Sequence, residues 1–326
     1  MKRLIISGGG TGGHIFPAIA IANRVKLEFP DAEILFIGAE GKMEMKKVPE
    51  AGYKIIGLPI RGLQRKLSPQ NLSLPFKVLA SLKKAKKIIA DFKPEVVVGV
   101  GGYASAPTLY VASKMKIPTV IQEQNSFPGK TNRFLSKRVS KICVAYHNLE
   151  QFFPKEKIIL TGNPVRQSVI QKMDKRESIN TFELNPNRKV ILAVGGSLGA
   201  RTINECLLNN FQAIQDSGMQ LIWQCGSAQF KLMQESLSGK NTNGIVLTKF
   251  IDKMEEAYAA ADVIVSRAGA IAISELSIIG KPIILVPSPN VAEDHQTKNA
   301  MALVNEDAAI LIKDSEAREK LISTAV

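Results

Sequence analysis

Short apolar runs recur along this chain, each closed by a glycine-rich or polar turn and followed by a helix-compatible stretch. Leu4-Ile5-Ile6 runs into Ser7-Gly8-Gly9-Gly10-Thr11-Gly12-Gly13-His14-Ile15-Phe16-Pro17, and residues 18–22 then read as helix. Residues 33–38, 53–58, 95–99 and 119–121 repeat the apolar run. None alternates with polar positions, as expected for strands buried on both faces of a parallel sheet. Strands that alternate with helical stretches predict βαβ units. Residues 160–166 read as a linker, after which residues 189–194 enter Gly195-Gly196-Ser197-Leu198-Gly199-Ala200-Arg201 and the opening design starts again. Residues 221–226, 244–247, 261–266 and 282–287 continue the strand series, and residues 254–258 read as helix. The expected fold class is α/β: two Rossmann-like domains, residues 1–163 and 164–326, facing each other across a cleft.

The glycine turns carry the candidate chemistry. A strand, a glycine loop and a helix N-terminus together present backbone N–H groups and a positive helix end, which favour a phosphate or diphosphate. Pro17 suits a first helical turn, and His14 places a titratable group inside the loop. Polar residues just past a parallel strand's C-terminal end, here Gln122-Glu123-Gln124-Asn125-Ser126, sit where open α/β sheets bind ligands. Gly8, Gly10 and Gly13 match a dinucleotide fingerprint, with Glu40 as the ribose acid. That reading leaves the second loop and Glu275 unexplained. A sugar nucleotide explains more: Arg166 or Ser197 for the diphosphate, Glu275 for ribose hydroxyls. Gly129-Lys130-Thr131 is not a P-loop, because position 124 is Gln124 rather than glycine. No D-x-D occurs, so helix ends and Arg rather than a metal would stabilise the leaving group.

Composition narrows the picture. At 326 residues, 45% hydrophobic and 22% charged, the chain has the makeup of a two-domain globular protein. Three cysteines without a C-x-x-C pair indicate neither a disulfide framework nor a zinc site, and point to a reducing, cytoplasmic setting. The glycine loop breaks the apolar N-terminal segment, which excludes a signal peptide. The longest uncharged window, residues 96–113, makes a poor membrane span. The charge is uneven. Residues 1–163 hold 26 Lys and Arg against 11 Asp and Glu, a net of +15, whereas residues 164–326 hold 17 against 18. An anionic partner for the first half alone follows. Within it, Leu72, Leu74, Phe76 and Leu79 precede Lys83, Lys84, Lys86 and Lys87 on one helical stretch. A helix packed on a sheet has that pattern, and so does a patch that meets an anionic membrane surface. Few aromatics accompany the lysines, so nucleic acid is not an expected partner.

The blocks G-G-G-T-G-G-H-I-F-P, V-G-G-Y-A-S-A-P, E-Q-N, T-G-N-P-V-R, G-G-S-L-G-A-R, F-I-D-K-M, R-A-G-A-I-A-I-S-E and E-D-H-Q-T-K-N-A span nearly the whole chain. Together and in this order they resemble the MurG family of peptidoglycan N-acetylglucosaminyltransferases, which convert lipid I to lipid II. The resemblance implies a GT-B fold, UDP-GlcNAc held mainly by the second half, and no cofactor or metal. It implies that lipid I (undecaprenyl-diphosphate-MurNAc-pentapeptide) approaches the first half at the cytoplasmic face of the inner membrane. Carried over position by position, donor binding falls on Thr11, Gly12, Gly13, Asn125, Arg166, Ser197, Ile251, Ala270, Ile271, Ala272, Ile273, Ser274, Glu275 and Gln296. Glu275 would take the ribose hydroxyls, the Ile251 backbone the uracil, and Gln296 and Asn125 the sugar. Acceptor binding falls on Gly10, His14, Gly101, Gly102 and Tyr103. The implied reaction is an inverting attack of the MurNAc 4-hydroxyl on GlcNAc C1. His14 is the first candidate base and Glu123 the second, although an orienting role suits Glu123 better.

Two departures stand out. Leu198 offers no polar side chain where some relatives carry Gln. The last helical pattern stops at Val326, without the helix that returns to the first domain in this fold, as in a chain either cut short or naturally shorter. Competing readings are a GT-B transferase for another lipid acceptor, an NAD-dependent oxidoreductase and a nucleic-acid binder. The first should lose V-G-G-Y and E-Q-N, and both are present.

Overall fold

A computed structural model describes residues 1–62, 73–171, 173–196, 198–291 and 294–326. Leu72 and Ser197, both singled out above, lie outside the described residues. The chain divides into two compact units, Met1–Val165 and Arg166–Val326.

The first unit holds a seven-stranded sheet of β1 (Arg3–Ser7), β2 (Glu33–Ala39), β3 (Lys54–Leu58), β4 (Val96–Gly99), β5 (Thr119–Glu123), β6 (Lys141–Val144) and β7 (Ile158–Leu160). Every pairing is parallel, in the order β3-β2-β1-β4-β5-β6-β7. Its helices are α1 (Gly12–Glu28), α2 (Glu44–Glu50), α3 (Leu74–Phe92), α4 (Ser105–Lys114) and α5 (Lys130–Leu135). Alternation along β1 divides the core. Leu4 and Ile6 pack with Ile15 and Ala18 of α1 and Val48 of α2. Ile5 packs on the other face with Ala85 and Ile89 of α3 and Leu109 of α4. Each such fully buried aliphatic side chain is worth about 1.5–3 kcal/mol relative to exposure.

The second unit repeats the plan with β8 (Val190–Val194), β9 (Gln220–Gln224), β10 (Ile245–Thr248), β11 (Val263–Ser266), β12 (Ile283–Leu285) and β13 (Ile310–Leu311). Their order is β10-β9-β8-β11-β12-β13, again all parallel. Its helices are α6 (Gln167–Ile170), α7 (Lys175–Thr181), α8 (Arg201–Asp216), α9 (Phe230–Leu237), α10 (Met254–Ala260), α11 (Ala270–Ile279), α12 (His295–Val304) and α13 (Ala317–Ala325). In each sheet the strand order reverses once, between β1 and β4 and between β8 and β11, and the loops at that point diverge to leave a crevice.

The sequence reading missed β6, β7 and β13. These are edge or near-edge strands of two to four residues, too short for a periodicity to show. Thr161 follows directly from β7, so the expected linker begins inside the sheet. α1 also starts earlier than expected, at Gly12. His14 therefore sits in the first helical turn, and Pro17 lies one turn further in, where it has no N–H to offer the Gly13 carbonyl.

Candidate active site

In the first unit the switch point brings the β1–α1 and β4–α4 loops together. Gly101 and Gly102 have φ of +95° and +80°, a region open to glycine at little cost. A side chain on Gly102 would strike the Gly9 carbonyl, so the two glycine turns touch backbone to backbone. A Cβ on Gly101 would lie 2.8 Å from both Cδ2 and Nε2 of His14, which places that edge of the imidazole close against the second turn. Thr11 Oγ1 lies 3.4 Å from His14 Nδ1. The Tyr103 ring stands over Gly10 and Gly62. Burial, and secondarily the Glu44 charge, push its phenol pKa up.

His14, Gly101, Gly102 and Tyr103 line a pocket of about 210 Å³ together with Glu123, Asn125, Gly129, Lys130, Thr131 and Asn132. Glu123 is 1% exposed, and N–H donors reach both of its oxygens. Oε1 accepts from Asn125 N (3.1 Å) and Asn125 Nδ2 (3.2 Å), and Oε2 from Gly129 N (3.1 Å) and Asn132 Nδ2 (2.8 Å). Burial raises the Glu123 pKa, and the four donors pull it back only in part. So arranged, the carboxyl ties the β5–α5 loop to α5. Behind it, Asn163 of the T-G-N-P block accepts from Gln122 Nε2 (2.9 Å) and donates to the Gln124 carbonyl (3.0 Å). Two blocks 41 residues apart thus brace one another.

The first glycine loop also contains an anion that the sequence reading missed. Glu44, 1% exposed, accepts from Gly10 N (2.9 Å) through Oε2 and from Ala39 N (3.0 Å) through Oε1. The Gly10 amide is therefore committed to a protein carboxylate. The one available signal was Glu44 following the turn after β2, and it reads equally well as an ordinary helix-start acid. Glu40, which the dinucleotide reading needs for ribose, pairs instead with Lys84 of α3 at 2.8 Å.

In the second unit the β8–α8 and β9–α9 loops meet around Gly199 and Gly226, whose backbones cross too closely to admit a side chain. Asn204 fastens this crossing by donating to the Cys225 carbonyl (2.8 Å) and accepting from Trp223 Nε1 (2.8 Å). Leu198 is 65% exposed. Gln224 reaches the Gly196 carbonyl (3.2 Å) and accepts from Ile251 N (2.9 Å), so the Ile251 amide is engaged within the protein. Ala270, Ile271, Ala272, Ile273, Ser274 and Glu275 form the start of α11, whose first turn carries no acidic side chain. Gln296 Oε1 accepts from Ser288 N at 2.8 Å. Arg166 and Glu275, 109 residues apart, form a two-pronged ion pair: Nε to Oε1 at 2.8 Å and Nη2 to Oε2 at 2.9 Å. Tyr258 adds a third donor to Oε2 at 3.0 Å. Thr11, Gly12, Gly13 and Asn125 belong to the first unit, and the remaining donor candidates to the second.

On α3, Phe76 and Leu79 are 75% and 57% exposed, Lys83, Lys84, Lys86 and Lys87 are exposed, and Leu74 is half-buried. No helix among the described residues is long and apolar enough to cross a membrane.

Two doubly wound units with a glycine loop at each switch point define a two-domain α/β protein of the GT-B glycosyltransferase class. Residues 4–144 match the glycosyltransferase family 28 N-terminal domain and residues 190–326 its C-terminal domain. The UDP-N-acetylglucosamine--N-acetylmuramyl-(pentapeptide) pyrophosphoryl-undecaprenol N-acetylglucosamine transferase of Flavobacterium psychrophilum is 58% identical, over 96% of this chain and 85% of that one. The protein of the same name from Phocaeicola vulgatus is 56% identical over 99% and 87%. The crystal structure of Acinetobacter baumannii MurG superposes with a TM-score of 0.76 at 29% identity, covering 99% of this chain and 90% of that one. The chain belongs to glycosyltransferase family 28, and within it to the MurG family.

Proposed function

We propose that this protein transfers GlcNAc from UDP-GlcNAc to the MurNAc 4-hydroxyl of undecaprenyl-diphosphate-MurNAc-pentapeptide, forming lipid II with inversion at C1. The observation that carries this reading is the 58% identity, over 315 residues, to a protein named for that transfer. The first unit would hold the acceptor and the second most of the donor.

His14 takes the hydroxyl proton. Its imidazole lines the pocket beside Glu123 and Asn125, where a positioned base can meet an incoming hydroxyl. Glu123 orients rather than shuttles protons, because four N–H donors already occupy its two oxygens. Charge building on the departing UDP is met by the N-terminal end of α11 and by Arg166. Exposed Phe76 and Leu79 of α3, with the lysines that follow, hold the enzyme against the anionic cytoplasmic leaflet where the lipid acceptor lies.

The test is UDP release from UDP-GlcNAc in excess EDTA, with and without a short-chain lipid I analogue. Acceptor-dependent release is expected to persist in EDTA. His14→Ala should lower kcat by about 10²–10⁴-fold, the usual worth of a positioned base, while UDP affinity stays unchanged. Release that does not depend on the acceptor, or stops in EDTA, would overturn the reading.

A further inference from the structure

A carboxylate offers about four lone-pair positions. On Glu275, Arg166 occupies two and Tyr258 a third, which leaves one on Oε1. A ribose presents two hydroxyl donors on adjacent carbons, so one existing bond must yield when both dock on this group. The three partners differ in their freedom to move. The Arg166 side chain is 38% exposed, at the head of α6, whereas Tyr258 is 4% exposed within α10 and packs in the core with Ile273 and Leu276 of α11. Arg166 can swing away; Tyr258 cannot. Burial first, and then the Glu275 charge, hold the Tyr258 phenol far above its ordinary pKa. Its O–H therefore remains a donor throughout the neutral range.

We infer that Tyr258 is a positioning residue that keeps the Glu275 carboxylate aimed at the ribose diol of the donor, while Arg166 exchanges a Glu275 bond for the donor's diphosphate. The inference rests on the reading of Glu275 as the ribose ligand proposed above. The exchange joins the two roles expected of Arg166 and Glu275. Without Arg166 the buried Glu275 would be a carboxylate with no opposite charge beside it; paired, the two neutralise one another until a ligand takes over both.

The experiment is calorimetric titration of the full chain with UDP, 2′-deoxy-UDP and 3′-deoxy-UDP, comparing wild type, Tyr258→Phe and Glu275→Gln. Phenylalanine keeps the ring and its packing and removes only the hydroxyl. Wild type should prefer UDP over both deoxy compounds. Tyr258→Phe should weaken UDP about tenfold, as for loss of one hydrogen bond to a charged group, and should cut the preference by threefold or more. A purely structural role would lower Tm and the affinity for all three ligands together, leaving their ratio at the wild-type value; that result overturns the inference. Glu275→Gln separates the two levels. If Glu275→Gln itself keeps the preference, the ribose reading fails and the inference with it. If Glu275→Gln loses the preference and Tyr258→Phe retains it, Tyr258 alone is excluded.

Discussion

At the scale of single residues, Glu123 shows how environment fixes a role that residue type leaves open. A carboxylate beside the proposed sugar site can serve as base or as brace, and the sequence already leans to the brace. Complete burial and four N–H donors favour the brace. Its raised pKa gives the pH dependence a sign. A group whose folded pKa lies above its unfolded value contributes stability that is present below the unfolded pKa and is lost as pH rises through the folded one. In Glu123→Gln the amide nitrogen must face at least one N–H donor. The variant should therefore lose about 1–3 kcal/mol at acid pH, the cost of a mispaired buried polar group. The gap to wild type should narrow toward neutral pH as ionisation erodes the wild-type advantage. Denaturant melts at several pH values would read this, and a gap that widens with pH would refute it.

At the scale of elements, α3 presents two unlike faces. Ala85, Ile88 and Ile89 face the core, while Phe76, Leu79 and the lysines stand exposed. The packed-helix and membrane-patch patterns named in the sequence analysis are thus compatible on one helix. Changing Lys83, Lys84, Lys86 and Lys87 to Glu should abolish sedimentation with anionic vesicles, since each basic residue near such a surface is worth about 1 kcal/mol. Each of the four is exposed, so the far-UV spectrum should hold and Tm should fall only slightly, through loss of the surface Lys84–Glu40 pair. Undiminished vesicle binding would sink the membrane assignment. Lys84 is also paired with Glu40, which fixes the start of the lysine run against the β2–α2 turn.

At the scale of the whole molecule, residues 1–163 carry a net +15 and the rest are near neutral, which is why an anionic partner is proposed for the first half alone. Each unit has its own cores, so ligand effects can be read unit by unit. UDP binding to the native state stabilises it by RT ln(1 + [L]/Kd), about 2.7 kcal/mol at a hundredfold excess over Kd. Amide exchange should slow mainly around β8, β9 and β11 on addition of UDP, with a smaller change at residues 11–13. Stronger protection in the first unit than in the second would contradict the donor assignment.

The sequence by itself determined much. Continuous apolar runs marked ten of the thirteen strands, glycine density marked both loops, and charge counting separated the halves. These are local signals: a strand buried on both faces must be apolar along its length, and a backbone crossing such as Gly102 on Gly9 admits only glycine. Tertiary structure alone decided who partners whom. Glu44 against Gly10, Gln224 against Ile251, and Tyr258 and Arg166 on Glu275 join residues 17 to 109 positions apart. No period or spacing along the chain encodes such pairs. They exist because parallel sheets bring the C-terminal ends of distant strands to one edge, where every buried polar group must find a partner or pay in stability.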